Sequence, residues 1–338
     1  MTFKVGIVGY GVVGKRRHNA LKNIVDFKVT ALSDINFNTG NELPDLKCYS
    51  NFKELIENED IDVIFISLPN NFAAEATLMG LKKGAHVFCE KPPSKSLNEL
   101  KPIQEFMRDS DLKLMYGFNH RFHSSVIKAR EIVKEKKLGK VINMKGTYGK
   151  SKMISFNQTD WRTDRSKSGG GILLDQGIHM LDLMNYFGGG FNQVFSIIQN
   201  SFWNYDVEDN AFILMQNDEG LVAQLHSSAT QWRHTFNLEM TFEKGSLILG
   251  GLLTSSKSYG EETLRIIFAD PDNDKGDPRE EIISFDEDIS WDEEIKRFTD
   301  AIRNSDKIKN GSIAQAIEIM ELIEKIYMAD NEWKRKYY

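Results

Sequence analysis

The glycine-rich run at residues 9–14 constrains the fold more than any other feature of the sequence. It reads Gly-Tyr-Gly-Val-Val-Gly, follows an apolar run at 4–8 and opens a segment with helical spacing at 11–21. A strand, tight turn and helix in this order favour dinucleotide binding, because the glycines allow the turn, let backbone amides approach a pyrophosphate and let helix and strand pack closely. The phosphates would lie at the positive end of the helix dipole.

The alternation of strand and helix continues to about residue 120. Strands are predicted at 27–32, 63–68, 86–89 and 113–116, and helices at 51–57, 72–83 and 97–108. Such an alternation indicates right-handed crossovers and a doubly wound parallel sheet with helices on both faces. We therefore predict an α/β fold that begins with a Rossmann domain over 1–120.

After residue 141 the pattern changes to strands with few helices between them. Strands are predicted at 141–148, 193–202, 211–216, 221–228, 236–242 and 246–249, and helices at 173–186, 291–302 and 313–328. Glycine-containing turns at 217–220 and 243–245 indicate hairpins. These features predict a second, α+β domain over 121–338, with a mostly antiparallel or mixed open sheet that binds substrate and mediates oligomerisation. Its last helix is a candidate to pack back on the first domain.

Composition excludes several classes of partner. The chain of 338 residues has a net charge of −6, which argues against attachment to nucleic acid or anionic membrane. No apolar run approaches the length of about 20 residues that a membrane helix needs. The N-terminus lacks the pattern of a signal peptide, so a cytoplasmic location is expected. Cys48 and Cys89 are predicted to be free buried thiols, and no metal site is expected.

An acidic residue lies at the spacing expected for ribose binding. Asp34 ends the second predicted strand, 20 positions after Gly14, and a carboxylate there would bond the adenosine ribose and repel the 2′-phosphate of NADP. The predicted cofactor is therefore NAD. NADP is not excluded, because a cation among residues 15–17 (Lys-Arg-Arg) could reach a phosphate, although a solvated helix face is the prediction for these three.

Two further segments carry side chains suited to hydride transfer. Lys91 follows a predicted strand within Cys-Glu-Lys-Pro-Pro at 89–93, so it lies at the carboxyl edge of the sheet and could stabilise charge on a reacting oxygen. Asp175 and His179 are four apart on a predicted helix, and a histidine can take a proton from a hydroxyl. Both features also have structural explanations, because strand-end lysines are usually solvated and exposed Asp and His pairs contribute little to stability.

The motifs in this order resemble the Gfo/Idh/MocA family of oxidoreductases. They are GYGVVG at 9–14, EKPP at 90–93 and GGGILLDQGIHMLD at 169–182, and the resemblance covers nearly the whole chain. It implies that Lys91, Asp175 and His179 form the catalytic group. The family's usual histidine after the strand-end proline is replaced by Ala73, so a ligand contact through that side chain is not expected.

The residues and the resemblance together assign two ligand sets. The predicted cofactor contacts are Gly9, Tyr10, Gly11, Val12, Val13, Gly14, Asp34, Ser67, Pro69, Asn71, Glu90, Lys91 and Asn119. The predicted substrate contacts are Lys91, Trp161, Arg162, Asp175, His179 and Trp232. Four other histidines, His18, His86, His120 and His123, are predicted to be structural.

The predicted reaction is hydride transfer between a nicotinamide and a sugar, nucleotide-linked sugar or cyclitol. Trp232 lies in a polar segment with His226 and Gln231–His234, which suits a polyhydroxylated ring, although a core or interface position explains this tryptophan equally well. Two alternatives stay open: a glycosidase-like enzyme that uses bound NAD for transient oxidation, and a non-catalytic dinucleotide-binding regulator. A homo-oligomer is expected, because an open sheet face needs covering.

Overall fold

The chain divides into two compact units. The computed structural model describes residues 2–37, 43, 45–153, 160–254, 256–273 and 276–338. The first unit comprises Met1–Phe118, Ser166–Gly169 and Trp291–Ile317, and the second comprises Asn119–Arg165, Gly170–Ser290 and Glu318–Tyr338. Among the described residues, no helix is both long and apolar enough to span a membrane.

The first unit contains a six-stranded parallel sheet. Its strands are β1 (Phe3–Val8), β2 (Phe27–Ser33), β3 (Lys47–Tyr49), β4 (Val63–Ile66), β5 (His86–Glu90) and β6 (Leu114–Gly117). The order across the sheet is β3-β2-β1-β4-β5-β6, which is the doubly wound order of a Rossmann domain. All four residues of β4 are buried, as expected for a strand covered on both faces. The predicted fold class is confirmed.

Four helices accompany these strands. They are α1 (Val12–Leu21), α2 (Phe52–Asn58), α3 (Asn70–Lys82) and α4 (Lys101–Arg108). Helix α2 begins after Asn51, whose side chain accepts a hydrogen bond from the Lys53 amide, as an N-cap residue does. The helix predicted at 97–108 begins with a 3-10 turn at Leu97–Leu100.

The second unit is built on an eight-stranded mixed sheet. Its strands are β7 (Val141–Gly149), β8 (Gln193–Gln199), β9 (Asn210–Gln216), β10 (Val222–Ser228), β11 (Thr235–Phe242), β12 (Gly245–Gly250), β13 (Glu262–Phe268) and β14 (Glu280–Phe285). The order is β14-β13-β12-β11-β7-β10-β9-β8. Strands β7 and β10 pair in parallel, and the other pairs of described strands are antiparallel. The predicted mixed sheet is confirmed, although β8 ends earlier than predicted and β13 and β14 were missed.

Helices complete the C-terminal part of the fold. They are α5 (Ser124–Lys134), α6 (Arg165–Ser168), α7 (Ile178–Gly188), α8 (Ser290–Arg303), α9 (Ile313–Ala329) and α10 (Asn331–Tyr337). Helix α7 packs on β7 and β10, and α5 packs on β12, β13 and β14. Helices α8 and α9 confirm the predictions at 291–302 and 313–328, whereas α5 and α10 were not predicted.

A buried arginine corrects the expectation of a solvated face at residues 15–17. The Arg17 side chain is 1% exposed. Its Nε donates to Glu90 Oε1 over 2.6 Å, and its Nη2 donates to Glu294 Oε2 over 2.6 Å. The guanidinium also lies 4.2 Å from the centre of the Trp291 ring. Two carboxylates and an aromatic face thus stabilise a charge that the helix pattern alone places in solvent.

We expect Glu294→Ala to destabilise the first unit by about 3 kcal/mol, because it leaves the buried Arg17 charge with one carboxylate fewer. The neighbouring Glu293→Ala is the matched control. Glu293 forms an exposed pair with Arg297 over 3.3 Å, and such pairs contribute less than about 1 kcal/mol. Urea unfolding followed by circular dichroism measures both, and equal midpoints for the two variants would contradict the structural role of the buried pair.

Candidate active site

The turn between β1 and α1 has the shape that a pyrophosphate requires. Gly9 has φ of +87°, and a Cβ there would lie 2.4 Å from the Ser67 carbonyl oxygen, so only glycine fits. Gly11 is the N-cap residue of α1 and supplies no side-chain cap. A Cβ on Gly11 would meet no atom within 4 Å. The space beside the first amides of α1 is therefore open to an anion.

Two buried oxygen atoms lie where β4 leads into α3. In the described part of the chain, neither Ser67 Oγ nor Asn71 Oδ1 has a hydrogen-bond partner. Pro69, between them, is the N-cap residue of α3. Buried polar atoms are nearly always paired in proteins. These two atoms therefore fit the polar groups of a bound nucleotide, and both belong to the predicted cofactor set.

Asp34 lies beside the glycine turn. It follows the last residue of β2, Ser33, whose carbonyl accepts a hydrogen bond from the Gly9 amide over 2.9 Å. Asp34 Oδ1 accepts from the backbone and side-chain nitrogens of Asn36, at 3.0 and 2.8 Å. This local turn holds the carboxylate at the carboxyl end of β2, as ribose recognition requires.

The remaining residues of the glycine turn have simpler surroundings. The Tyr10 hydroxyl lies 2.7 Å from His18 Nδ1, so His18 has a hydrogen-bond partner within the first unit. The Val12 side chain is 73% exposed, and Val13 is half-buried. Apart from their backbone amides, these two valines show no feature specific for a nucleotide.

Lys91 directly follows β5, as predicted. Strand β5 ends at Glu90, which is held by Arg17. The Lys91–Pro92 bond is cis, and Lys91 is half-buried. The ion pair between Arg17 and Glu90 therefore fixes the backbone next to Lys91.

The glycine-led segment of the second unit forms a turn held by a buried carboxylate. Glu208 accepts hydrogen bonds from the amides of Gly171 and Leu173, at 2.8 and 3.0 Å. A Cβ on Gly171 would lie 2.1 Å from the Glu208 carbonyl oxygen, so glycine is required for this close approach. The carboxylate thus fixes the backbone just before Asp175.

Asp175 and His179 do not lie on one continuous α-helix, which corrects the prediction for 173–186. Leu173–Gly177 is a π-helical turn, and α7 begins at Ile178. Asp175 is therefore in the π turn and His179 is in the first turn of α7. Single π turns inserted in helices are frequent at functional sites, because they redirect side chains locally.

Two cations hold the Asp175 carboxylate. Lys150 Nζ lies 3.3 Å from Oδ2, and Arg162 Nε lies 3.5 Å from Oδ1. The Arg162 guanidinium also lies 4.4 Å from the centre of the Trp161 ring. The structure thus joins three predicted site residues, Trp161, Arg162 and Asp175. It adds Lys150, which follows β7 and had no recognisable sequence signal.

His179 is buried and stacks on a second histidine. The centres of the His179 and His120 rings are 3.7 Å apart, and the ring planes differ by 12°. His120 was predicted to be structural, and its contact with the predicted base was not foreseen. In the sequence, the dipeptide Asn119-His120 comes just after the last residue of β6, Gly117, and this position was the signal that could have identified it.

Two tyrosines, the buried Tyr148 and the half-buried Tyr259, lie near the same helix. Burial raises the pKa of Tyr148 well above 10 and raises the pKa of Tyr259 to about 12. Gln176 Nε2 donates a hydrogen bond to the Tyr259 hydroxyl. Both phenols therefore keep their protons at neutral pH and act as neutral hydrogen-bonding groups.

Trp232 lies at the surface, so the alternative of a core position is wrong. Its side chain is 67% exposed, and its ring lies 5.4 Å from that of Phe202. The preceding residue, Gln231, donates its amide to the Lys150 carbonyl over 3.0 Å. Trp232 therefore follows a residue whose backbone is hydrogen-bonded to Lys150, the ion-pair partner of Asp175.

Comparisons with known proteins match both parts of the chain. Residues 3–118 match the model of an oxidoreductase family with an NAD-binding Rossmann fold, and residues 126–248 match the GFO/IDH/MocA C-terminal domain. Levoglucosan dehydrogenase of Pseudarthrobacter phenanthrenivorans is 29% identical over 44% of this chain and 38% of its own length. Myo-inositol 2-dehydrogenase of Thermotoga maritima is 30% identical over 55% of each. The alignments thus cover about one to two thirds of the curated relatives.

Solved structures show the same fold over almost the whole chain. Levoglucosan dehydrogenase in complex with NADH and levoglucosan superposes with a TM-score of 0.86 at 20% identity, covering 98% of both chains. Myo-inositol 2-dehydrogenase from Lactobacillus plantarum superposes with a TM-score of 0.80 at 22% identity, also covering 98% of both.

Proposed function

Because this chain belongs to the Gfo/Idh/MocA family of oxidoreductases, we propose that it is a dehydrogenase of sugars, nucleotide-linked sugars or cyclitols. The observation that carries the proposal is the cluster at the glycine-led turn. There, the Asp175 carboxylate lies between Lys150 and Arg162, and the buried His179 follows one helical turn later. Such a cluster combines an acid–base group with polar groups that suit hydroxyls.

The first unit supplies the dinucleotide site of this proposal, and NAD is the proposed cofactor. The open amides at Gly11 would hold the pyrophosphate, and Asp34 would accept from the ribose hydroxyls. The buried Ser67 and Asn71 oxygens, together with Pro69, Glu90, Lys91 and Asn119, complete the proposed contacts.

The proposed reaction divides among three side chains. In the oxidative direction, His179 accepts the proton of the substrate hydroxyl, Asp175 orients that hydroxyl, and Lys91 donates a hydrogen bond to the oxygen as negative charge develops. A nicotinamide held by the cofactor residues named above would supply the hydride acceptor for the carbon that bears this hydroxyl. The alcohol thereby becomes a carbonyl, and the proton stays on His179 until solvent removes it.

The substrate class is proposed from the relatives and from the surface of the second unit. The named relatives are dehydrogenases of levoglucosan and myo-inositol, both compact and rich in hydroxyls. Trp161 and the exposed Trp232 offer aromatic faces, and Arg162 offers a planar donor. Aromatic faces beside charged donors suit the apolar and hydroxyl sides of such rings.

A homo-oligomer is proposed from the outer face of the second sheet. Four large apolar side chains there are 42 to 68% exposed: Phe195, Ile197, Phe212 and Leu214. Helices α5 and α7 pack against the sheet elsewhere. Further along the sheet, beyond β10, Lys145 of β7 is paired in register with Glu239 of β11, its opposite in charge. An exposed apolar face of this kind suits a second copy under two-fold symmetry.

The assay for the proposed function is NAD(P)H absorbance at 340 nm, scanned over sugars, sugar nucleotides and inositols. We expect turnover with at least one of them. His179→Gln should lower kcat about a hundred- to ten-thousand-fold and leave NADH affinity, measured by fluorescence, nearly unchanged. Lys91→Met should also lower kcat, whereas Lys101→Met, which alters an exposed lysine of α4, should not. Full turnover of the His179 variant would remove it from the mechanism.

The predicted preference for NAD is tested at Asp34. We expect Asp34→Ala to weaken NAD binding and to improve NADP binding, because the ribose contact and the repulsion of the 2′-phosphate are lost together. Calorimetric titration with each dinucleotide measures the change. Asp60→Ala, which removes an exposed carboxylate paired with Lys4 in the same unit, controls for net charge. An unchanged ratio of the two affinities would place the ribose elsewhere.

The proposed association is tested by adding charge to the apolar face. We expect the wild-type protein to have a mass in solution that is a multiple of the chain mass, and Ile197→Glu to reduce it, because a buried carboxylate would be left without a partner. Light scattering after gel filtration gives the masses. Ile282→Glu on β14 changes an equally exposed isoleucine at the opposite edge of the sheet and should keep the assembly. A monomeric wild type would contradict the proposal.

A further inference from the structure

A series of hydrogen bonds in the second unit includes both nitrogens of the His120 imidazole. Ser290 Oγ donates to Asp288 Oδ1 over 2.6 Å, and Asn119 Nδ2 donates to Ser290 Oγ over 3.2 Å. His120 Nδ1 lies 3.1 Å from Asn119 Oδ1, and His120 Nε2 lies 3.0 Å from the Tyr148 hydroxyl. Five side chains from three segments are thus connected in one series.

The chemistry of the groups determines the direction of every bond in this series. A carboxylate only accepts, so the single proton of Ser290 points to Asp288, and the Ser290 oxygen is left to accept from the Asn119 amide. The amide oxygen of Asn119 then faces His120, so His120 Nδ1 must carry a proton. In a neutral imidazole the other nitrogen is an acceptor, and it receives the Tyr148 proton, which that phenol retains because burial raises its pKa.

The consequence for His179 follows from the ring stack. Both imidazoles are buried, and their centres are 3.7 Å apart. Two imidazolium cations at this distance, shielded from water, would repel each other strongly. A proton on one ring therefore excludes a proton on the other.

We propose that His120 is a positioning residue for His179: the hydrogen-bond series holds it as the neutral Nδ1–H tautomer, so that the stacked pair takes up a single proton, on His179. The proposal deepens the proposed function and rests on it, since a base used in every turnover must be the ring that receives the proton. The flat contact also fixes the plane of the His179 ring.

Other titratable groups surround the two rings. Around His120 and His179 they are His123 with Glu262, Arg121 with Asp182, Asp175 with Lys150 and Arg162, and the phenols Tyr148 and Tyr259. The two test substitutions, Tyr148→Phe and Asn119→Asp, leave the other groups of this set unchanged. The electrostatic field of those groups at the two rings is therefore the same in the wild type and in both test variants.

Nitrogen NMR of the full-length protein, labelled with ¹⁵N-histidine, tests the proposal directly. Ring nitrogen shifts distinguish the two tautomers and the cation, and His120→Gln and His179→Gln assign the signals. Between pH 5 and 9 we expect His179 to titrate, and His120 to keep one protonated and one bare nitrogen. A wild-type protein in which His120 takes up the proton, or in which both rings do, would overturn the proposal.

Removing the Tyr148 hydroxyl, which donates to His120 Nε2, should allow His120 to take up a proton. In Tyr148→Phe, Nε2 of His120 loses this donor, so His120 should begin to compete with His179 for the single proton, and the pKa of His179 should fall because of the like charge beside it. Tyr186→Phe is the matched control, because it removes a phenol from the helix that carries His179 while keeping the ring that Arg121 contacts. Equal effects of both substitutions would count against the hydrogen-bond series.

A second variant and a kinetic measurement complete the test. Asn119→Asp keeps the volume and places a carboxylate on Nδ1, so it should also make His120 titrate, at a higher pH than in Tyr148→Phe. With an active substrate, the acid limb of kcat in Tyr148→Phe should move to lower pH together with the pKa of His179, while KM for the dinucleotide stays constant. Absence of any turnover would contradict the proposed function alone, because the NMR titration needs no substrate.

Discussion

The buried carboxylate of Glu208 is the contact on which the geometry of the second unit's site depends. It accepts two backbone amides of the glycine-led turn and the hydroxyl of Tyr327 over 2.8 Å. Burial raises the pKa of Glu208, and these three donors act in the opposite direction by stabilising its charged form. Because the turn begins at this anchor, the positions of Asp175 and His179 follow from a residue that takes no part in the proposed chemistry.

The first unit uses a comparable device at the end of β5. Glu90 precedes Lys91 and is held by Arg17, which is shared with Glu294 in α8. The donors of a guanidinium lie in one plane. Two buried carboxylates can therefore both accept hydrogen bonds from it only in a fixed geometry. In both units, a charged group from a distant part of the sequence therefore fixes the backbone next to a proposed catalytic side chain.

Strongly apolar elements could be predicted from the sequence, and weakly apolar ones could not. The run Val-Ile-Phe-Ile of β4 is wholly buried, so its composition alone identifies a central parallel strand. Strand β14, by contrast, is a sheet edge whose residues are mostly exposed, and it lacks the apolar alternation by which strands are recognised. The π turn before α7 was missed for another reason, because the four-residue spacing of Asp175 and His179 is that of an ordinary α-helix.

For this protein, the sequence by itself determined the alternation of strands and helices, the glycine turn that suits a dinucleotide, and the family to which the chain belongs. Those properties depend on neighbouring residues, through periodicity, turn conformation and motif spacing. Only the tertiary structure decided that Arg17 is buried, that Lys150 and Arg162 meet at Asp175, and that His120 stacks on His179. Such contacts join residues far apart in the chain, and they form only when the packing of whole elements brings those residues together.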